Sequence, residues 1–212
     1  MTTMTAAPRP SPADRPRPGL RERKKIKTRR AIRAAAYALI QEQGYDATTI
    51  EQIAERAEVS PSTVFRYFPV KEDIVLTDEY DAVLLAELRA RPLDEPPTES
   101  LRQVIRTAVG VGTGEEPEAM RLRTTLMAEV PAVRARMREN ASATGRLLCR
   151  ALAERTGLAA DALEVRVFAM SLMGGLMEAC LHWAENGFRT DLADLVDRTF
   201  DVLEHGLPAR RT

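Results

Sequence analysis

Apolar residues recur at helical spacing along most of the chain, and no sustained alternation of β-branched or aromatic residues with polar ones is present. The first such stretch predicts a helix that begins near Leu20 and ends before Gly44, a residue suited to a helix C-terminus. Its apolar face consists of Ile32, Ala35, Ala36, Leu39 and Ile40. The pattern as a whole predicts an all-α protein of about nine helices.

A second, shorter helix is predicted from about Thr49 to Ala57. Its start offers two capping-box pairs, Thr48 with Glu51 or Thr49 with Gln52, in which each side chain bonds the backbone N–H of the other residue. With either pair, this second helix begins only a few residues after Gly44, where the first helix ends.

The third helix is predicted to begin with Ser60 as its N-cap and Pro61 at its first position, where a missing N–H costs nothing. Val64 and Phe68 then face the first two helices. Two short helices joined by a tight turn, over about residues 49–68, predict a helix-turn-helix.

A further helix is predicted from Lys71, after the helix-breaking Pro69, to about Ala90, and a proline-rich linker follows. Five more helices are predicted near residues 98–110, 117–129, 131–155, 161–185 and 191–205. Their boundaries are set by Pro131, Gly157, Gly187 and the glycine-rich segment 110–114. That segment is interpreted as a loop between helices, because it lacks the lysine and Ser/Thr of a phosphate-binding loop.

The net charge of zero conceals a division along the chain. Residues 1–71 hold 14 Lys and Arg against 7 Asp and Glu, a net +7, whereas the remainder holds 17 against 24, a net −7. Residues 1–19 are proline-rich and predicted to form a disordered basic arm. A basic N-terminal part on an acidic body indicates one face for a polyanion, with chance clustering on a solvated surface as the alternative.

The two cysteines, Cys149 and Cys180, form neither a disulfide framework nor a zinc site and are interpreted as core thiols. No metal or cofactor site is predicted. The N-terminus lacks the apolar region of a signal peptide, and the most apolar run, from Val167 to Leu181, is interrupted by Glu178 and interpreted as too short to cross a bilayer. We therefore expect a cytoplasmic protein without a membrane partner.

The exposed face of the third helix carries groups that suit DNA. The helix N-termini at Thr49 and Ser60 favour phosphate oxygens, and Arg66 suits a guanine edge. The candidate DNA-binding residues are Thr48, Thr49, Ser60, Pro61, Ser62, Thr63, Phe65, Arg66, Tyr67 and Lys71. The alternative is a helical hairpin whose hydroxyl groups only cap and whose arginine is solvated.

The stretch from about Ile26 to Leu85 resembles the DNA-binding domain of TetR-type regulators. The matching residues are the segment 44–50 together with Ile53, Ala54, Val59, Ser60, the segment 63–68, Lys71 and Glu72. Two positions depart from the family pattern, Glu58 where glycine is common in the turn and Phe65 where tyrosine is common. If the turn requires a positive φ, Glu58 costs about 1 kcal/mol. Because Phe65 lacks a hydroxyl, its phosphate contact is assigned to Tyr67.

The segments 75–78, 91–97 and 129–136 look like the branch associated with mycofactocin-type regulators. The resemblance implies a DNA-binding domain over residues 20–86 and an effector-binding and dimerisation domain over residues 87–212. It also implies a homodimer formed through a four-helix bundle and a double-stranded DNA operator.

Three methionines, Met170, Met173 and Met177, share one face of the helix predicted near residues 161–185. Ordinary core packing is one interpretation, and a pocket for an apolar ligand is the other, since methionine adapts to variable shapes. Met120, Met127 and Trp183 are weaker candidates for the same lining. Gly174 and Gly175, together with the last helix, are interpreted as a subunit interface.

The basic run Arg134, Arg136 and Arg138 is interpreted as a solvated face, or as the phosphate site for the acyl-CoA-like ligand that the resemblance implies. Neither histidine, His182 or His205, lies near an acid–base pair, a metal-ligand spacing or a nucleophile motif, so no enzyme activity is predicted. The predicted function is a repressor released from a palindromic operator by a small apolar or acyl-CoA-like ligand. A ligand-independent regulator or an activator is the alternative.

Overall fold

The computed structural model describes residues 19–76 and 80–207, and within these ranges the protein is all helical, as predicted. The ten helices are α1 (Leu20–Gln43), α2 (Ile50–Arg56), α3 (Pro61–Tyr67), α4 (Lys71–Leu76), α5 (Tyr80–Ala90), α6 (Pro97–Glu115), α7 (Pro117–Glu129), α8 (Pro131–Thr156), α9 (Leu163–Glu185) and α10 (Leu192–His205). The predicted disordered arm lies outside the described residues except for Gly19. The helix predicted from Lys71 to Ala90 is described as α4 and α5, on either side of residues 77–79, which accounts for ten helices where nine were expected.

Helices α1 to α4 form a small unit, called here the reading head. Its core brings together one apolar face from each helix, and the central side chains are completely buried: Ile32, Ile53, Val64, Phe68 and Ile74. Ile32, Ile53, Val64 and Phe68 are positions that the sequence placed on the inner faces of the first three helices, and Ile74 is added by α4. Burial of aliphatic and aromatic side chains without gaps fixes the angle between α2 and α3.

The capping signals of the reading head decide between the two pairs left open by the sequence. Thr49 and Gln52 form the capping box: the Thr49 side chain accepts from the Gln52 N–H at 3.2 Å, and the Gln52 side chain accepts from the Thr49 N–H at 2.9 Å. Ser60 caps α3 by accepting from the Thr63 N–H at 3.2 Å, and Pro61 follows at the first helical position. Thr48 instead turns inward.

The turn between α2 and α3 requires a left-handed residue. Glu58 has φ 55°, and the Val59 N–H donates to the Ala54 carbonyl at 2.9 Å, which closes the end of α2. A non-glycine residue in this region pays a steric penalty between its Cβ and the following carbonyl. The conditional expectation for Glu58 is therefore confirmed.

Helices α5 to α10 form the larger unit, called here the body. Helix α9 packs against α7, α8 and α10, while α6 packs against α5 and α10. The fully buried side chains at the centre include Ala169, Leu172 and Phe200. Helix ends fall where the sequence predicted them, at Pro131, Gly157 and Gly187.

The glycine-rich segment 110–114 was wrongly predicted as a loop, because it forms the last turns of α6. Thr113 donates its hydroxyl to the Val109 carbonyl at 2.9 Å, as a helical threonine does. A Cβ on Gly112 would come within 2.5 Å of the Met120 Cε, so this glycine is used for close packing of α6 on α7. The chain turns only at Glu116, and Pro117 opens α7.

Helix α9 spans 23 residues and is the one helix in the described ranges that is long and apolar enough to cross a membrane. The expectation that this segment is too short was therefore wrong as to length. It packs against α7, α8 and α10.

Candidate nucleic-acid interface and internal cavity

Three hydroxyl groups cluster at the exposed start of α3. The Ser60 Oγ lies 2.9 Å from the Ser62 Oγ and 2.9 Å from the Thr63 Oγ1. Because these hydroxyls can rotate, each can turn to accept from or donate to an approaching phosphate or base edge. Together with exposed Pro61, they form the leading edge of the helix.

The outward face of α3 continues with an aromatic ring and a guanidinium group. Phe65 is 49% exposed, and Arg66 is exposed with its guanidinium carbon 5.4 Å from the centre of the Tyr67 ring. Tyr67 itself is half-buried, packs against the core of the reading head and lines a cavity toward the body. The structure therefore brings Ser62, Phe65 and Arg66 to the surface, while the predicted phosphate contact of Tyr67 stays a prediction.

Thr48 and Lys71 occupy internal positions. Thr48 is 1% exposed and donates its hydroxyl to the Gly44 carbonyl at 2.8 Å. Lys71 donates to the Tyr45 carbonyl at 2.9 Å and to the Thr48 carbonyl at 3.0 Å, and its ammonium lies 3.9 Å from the centre of the Tyr45 ring. Lys71 thus ties the connection between α1 and α2 to the start of α4, which sets the position of Thr49.

Lys71 and Tyr45 together form a clamp between the α1–α2 connection and the start of α4. The Tyr45 hydroxyl donates to the Glu72 carboxylate at 2.8 Å, and burial, with this hydrogen bond second, raises the Tyr45 pKa. The Tyr45 hydroxyl therefore stays protonated at physiological pH and can keep donating to Glu72. DNA contacts from Thr48 and Lys71 stay predictions, with structural roles now visible for both.

A cavity of about 580 Å³ lies between the reading head and the body. This volume falls within the usual range for small-molecule sites, roughly 300–1,000 Å³. Four predicted methionines line it: Met120, Met127, Met173 and Met177. Residues of the head, Arg29, Tyr67 and Asp73, also contribute to its wall.

Two predicted lining residues lie elsewhere. Met170 is 44% exposed on the outer face of α9, where its sulfur packs so close to Gly145 that a Cβ there would come within 2.7 Å. Trp183 is buried, donates to the Thr190 carbonyl at 2.8 Å and meets Phe188 edge-on at 4.8 Å between ring centres. It stabilises the turn between α9 and α10 instead of facing the cavity.

One wall of the cavity is charged. Arg136 on α8 donates to both carboxylate oxygens of Asp73 on α4, at 2.8 and 3.0 Å, and donates to Glu139 at 2.9 Å. This pairing strongly raises the Arg136 pKa, with the Asp73 hydrogen bond as the largest cause. Arg123 donates to the Leu76 carbonyl at 2.9 Å. Both contacts join the body to α4 of the reading head.

The arginine run of α8 thus separates into different settings. Arg136 faces the cavity, Arg134 donates to the Ala128 carbonyl at the end of α7, and Arg138 is exposed. Only the middle arginine lies where a ligand in the cavity would meet it.

Two family models match the chain, one after the other. The model described as "Bacterial regulatory proteins, tetR family" matches residues 32–77, and the model described as "MftR C-terminal domain" matches residues 95–208, which is more than half of the chain. The chain belongs to the TetR family.

Solved structures of other TetR-family proteins share its fold. FadR from Thermus thermophilus, a TetR-family transcriptional repressor in complex with lauroyl-CoA, is 28% identical, with a TM-score of 0.57 over 87% of this chain and 97% of that one. The fatty acid metabolism regulator protein of Bacillus subtilis is 25% identical over 178 residues, which is 82% of this chain and 92% of that protein. The regulator TcmR of Streptomyces glaucescens is 43% identical over 77 residues, which is 35% of this chain and only 34% of TcmR.

This TetR-family chain also exposes an apolar stripe on α9. Leu163 is 70% exposed, Val167 54% and Met170 44%, and the space over Gly174 on the same helix is open. Gly175, in contrast, packs within its own chain, since a Cβ there would come within 2.6 Å of Thr199. Of the two glycines predicted at a subunit interface, only Gly174 faces outward.

Sequence reasoning missed two residues of the cavity wall, Arg29 and Asp73, although it named Arg136 within the basic run of α8. The Arg29 guanidinium lies 5.0 Å from the Phe68 ring centre and lines the cavity. Asp73 and Arg136 are 63 residues apart, and no local spacing signals their pairing.

Proposed function

We propose that this chain is a homodimeric, cytoplasmic transcriptional repressor that leaves its operator when a small amphipathic molecule fills the cavity. The observation that carries the proposal is the position of the cavity, whose wall is shared by the reading head and the body. A ligand there contacts both units, so its binding free energy can change their relative orientation. The proposed division is a DNA-binding domain over residues 20–86 and an effector-binding and dimerisation domain over residues 87–212.

Operator contacts are assigned to the exposed start and outer face of α3. Ser62, Phe65 and Arg66 are presented to solvent by a rigid, fully packed head, which suits direct contact with base edges in the major groove. The exposed N-cap residue Thr49 and the hydroxyl cluster at Ser60 suit phosphates. Charge supports this assignment, since the basic part of the chain carries the reading head.

Dimerisation is assigned to α9 and α10. The exposed stripe of Leu163, Val167 and Met170 is the kind of surface that a second copy covers, and Val202 on α10 is also 44% exposed. Two reading heads on a two-fold axis match the two half-sites of a palindromic operator. Membership of a family of transcriptional regulators supports a binding protein over an enzyme.

An acyl-CoA-like or other amphipathic ligand is favoured over a purely apolar one. The cavity joins methionine-lined walls to a charged wall with three arginines, and FadR from Thermus thermophilus holds lauroyl-CoA in the same fold. A ligand-independent regulator would have no use for a cavity of this volume between its two units.

The operator test uses fluorescence anisotropy with labelled DNA from upstream of the protein's own coding sequence. Wild-type protein is expected to bind in the nanomolar range, with affinity that falls steeply as salt rises. Arg66→Ala should lose about 1–3 kcal/mol of binding free energy. Arg89→Ala, which removes an exposed arginine paired with Glu154 in the body, is the matched control and should bind normally. Equal affinity for unrelated DNA would exclude sequence-specific regulation.

A further inference from the structure

Helix α4 is held to the body by an ion pair between a buried aspartate and a half-buried arginine. Asp73 is 6% exposed, and both of its carboxylate oxygens accept hydrogen bonds from the Arg136 guanidinium, at 2.8 and 3.0 Å. A bidentate pair of this kind fixes direction as well as distance. It therefore restrains how α4 is oriented against α8.

The same ion pair is part of the cavity wall, and it lies beside a second cation. The charged residues among those lining the cavity are Arg29, Asp73, Arg123 and Arg136. Arg123 already donates to a backbone carbonyl of α4. The Arg29 Nε is buried without a hydrogen-bond acceptor. The Arg29 guanidinium rests on the ring of Phe68, which is the completely buried last contact of α3 with the core.

An anion that enters this cavity has few favourable positions. Away from the charged wall the lining is largely aliphatic and sulfur-containing, and a charge there would lose its hydration without compensation. At the charged wall it meets three arginines: Arg29 has an unused donor, Arg123 donates to α4, and Arg136 is engaged by Asp73. Arg136 cannot hold the Asp73 carboxylate and a second carboxylate or phosphate with the same two N–H groups.

We infer that the Asp73–Arg136 pair is a latch that the anionic end of a ligand opens, by binding Arg29 and Arg136 in place of Asp73. Once displaced, the Asp73 carboxylate must leave its buried position for water, because an unpaired buried charge is unfavourable. Asp73 is the third residue of α4, and Lys71 in the same turn holds the connection to α2, so the movement reaches the reading head directly.

The inference rests on the proposed function and makes it more specific. The cavity would respond to the charge of an amphiphile as well as to its apolar chain. A neutral molecule with the same chain would occupy the cavity and leave the latch closed. Ligand binding in the cavity and release of the protein from DNA could then be separated by changing the ligand head group alone.

The experiment compares fatty acids with the matching alcohols on the full-length protein. Octanoate, dodecanoate and hexadecanoate, and the corresponding alkanols, are titrated below their aggregation limits. Operator affinity is measured by anisotropy, and occupancy of the cavity by the rise in melting temperature. We expect at least one carboxylate to weaken operator binding about tenfold, within the usual range of allosteric coupling. The matching alcohol should raise the melting temperature and leave operator affinity within about twofold.

Variants test the latch without any ligand. Asp73→Asn keeps the shape of the side chain and removes its charge, and should lower operator affinity about tenfold while abolishing the further effect of carboxylates. Glu139→Gln is the matched control, because it removes the other carboxylate on Arg136, which lies on α8 itself and does not reach α4. If Asp73→Asn does not fold by circular dichroism, Arg136→Lys provides the same comparison, since it keeps the charge and loses the bidentate geometry.

Three results would overturn the latch: equal release by acid and alcohol, no release by any carboxylate, or an Asp73→Asn protein that binds and responds like wild type. Each of these leaves operator binding by the wild type in place. Loss of the proposed function would appear differently, as a wild-type protein that does not bind its operator at all.

Discussion

The reading head and the body differ in how their apolar residues are packed. In the head, helices α1 to α4 meet at five side chains with no exposure, and the packing fixes the face of α3. The body, by contrast, borders a cavity of about 580 Å³ that it shares with the head, and methionines of the body form part of the wall. A closely packed core keeps one shape, as recognition of a DNA groove requires. A core with a methionine-lined cavity can adapt to a small-molecule ligand.

The largest effect should come from opening the filled core. Phe68→Ala removes a completely buried ring and is expected to lower the free energy of unfolding by about 3–5 kcal/mol. Met177→Ala removes a side chain that already borders empty space, so its cost should fall below about 2 kcal/mol. Urea denaturation measures both, and similar losses would contradict the distinction between the two units.

A smaller effect tests the clamp that orients the head. Lys71→Met leaves the Tyr45 and Thr48 carbonyls without their charged donor and should lower the free energy of unfolding by about 1.5–3 kcal/mol. Lys27→Met, on the exposed side of α1, is the control and should be nearly neutral. If Lys71→Met instead keeps its stability and loses only operator affinity, the lysine serves as a phosphate contact.

Among residues 19–76 and 80–207, each unit contains one non-glycine residue with positive φ, Glu58 in the head and Phe188 in the body. Glu58→Gly should raise the free energy of unfolding by about 0.5–1 kcal/mol, because the steric relief exceeds the entropy cost of glycine. Glu58→Ala is the control, since it keeps the Cβ and should bring no gain. Phe188→Gly should be destabilising despite the same backbone relief, because it removes the ring that packs on Trp183. Thermal denaturation shows whether each of the three variants is more or less stable than the wild type.

The smallest expected effect is a loss of stability at low pH. Hydrogen bonds from Arg91 and then Ser100 lower the pKa of Glu95 in the body from 4.5 to about 2. The folded state therefore gains stability from ionised Glu95 above the pKa of the unfolded chain, and loses it as the pH falls from about 4.5 toward 2. The difference in melting temperature between wild type and Glu95→Gln should shrink over that interval. Asp161→Asn, at an exposed position, is the control, and a constant difference would show that Glu95 has no such role.

Local signals were sufficient to predict most of the fold. Ser60 with Pro61, and Pro131 and Gly157, mark helix ends through the backbone alone, and the structure confirms them. The segment 110–114 misled because glycine favours a loop only when no neighbour needs its missing side chain, and Met120 does need that space. Tertiary packing overrode local propensity there.

The site was less predictable than the fold, because its main contacts join distant parts of the chain. Helical spacing placed Met173 and Met177 on one face but could not tell which side of α9 the cavity lies on, so Met170 was included with them. Lys71 looked like a surface cation because its acceptors, the carbonyls of Tyr45 and Thr48, have no sequence signature. The reading face of α3 was easier to predict, since Val64 within this seven-residue helix and Phe68 directly after it are buried, which leaves the opposite face for solvent.

The glycine stretch at the end of α6 has a consequence for local opening. Gly110, Gly112 and Gly114 each weaken a helix by about 1 kcal/mol relative to alanine, and all three fall in the last two turns of α6. Gly112 also lines the cavity. The free energy needed to unwind these turns is therefore lower than for the longer walls formed by α8 and α9. In the proposed function, this corner of the wall is where a longer ligand chain would be admitted while the rest of the body stays folded.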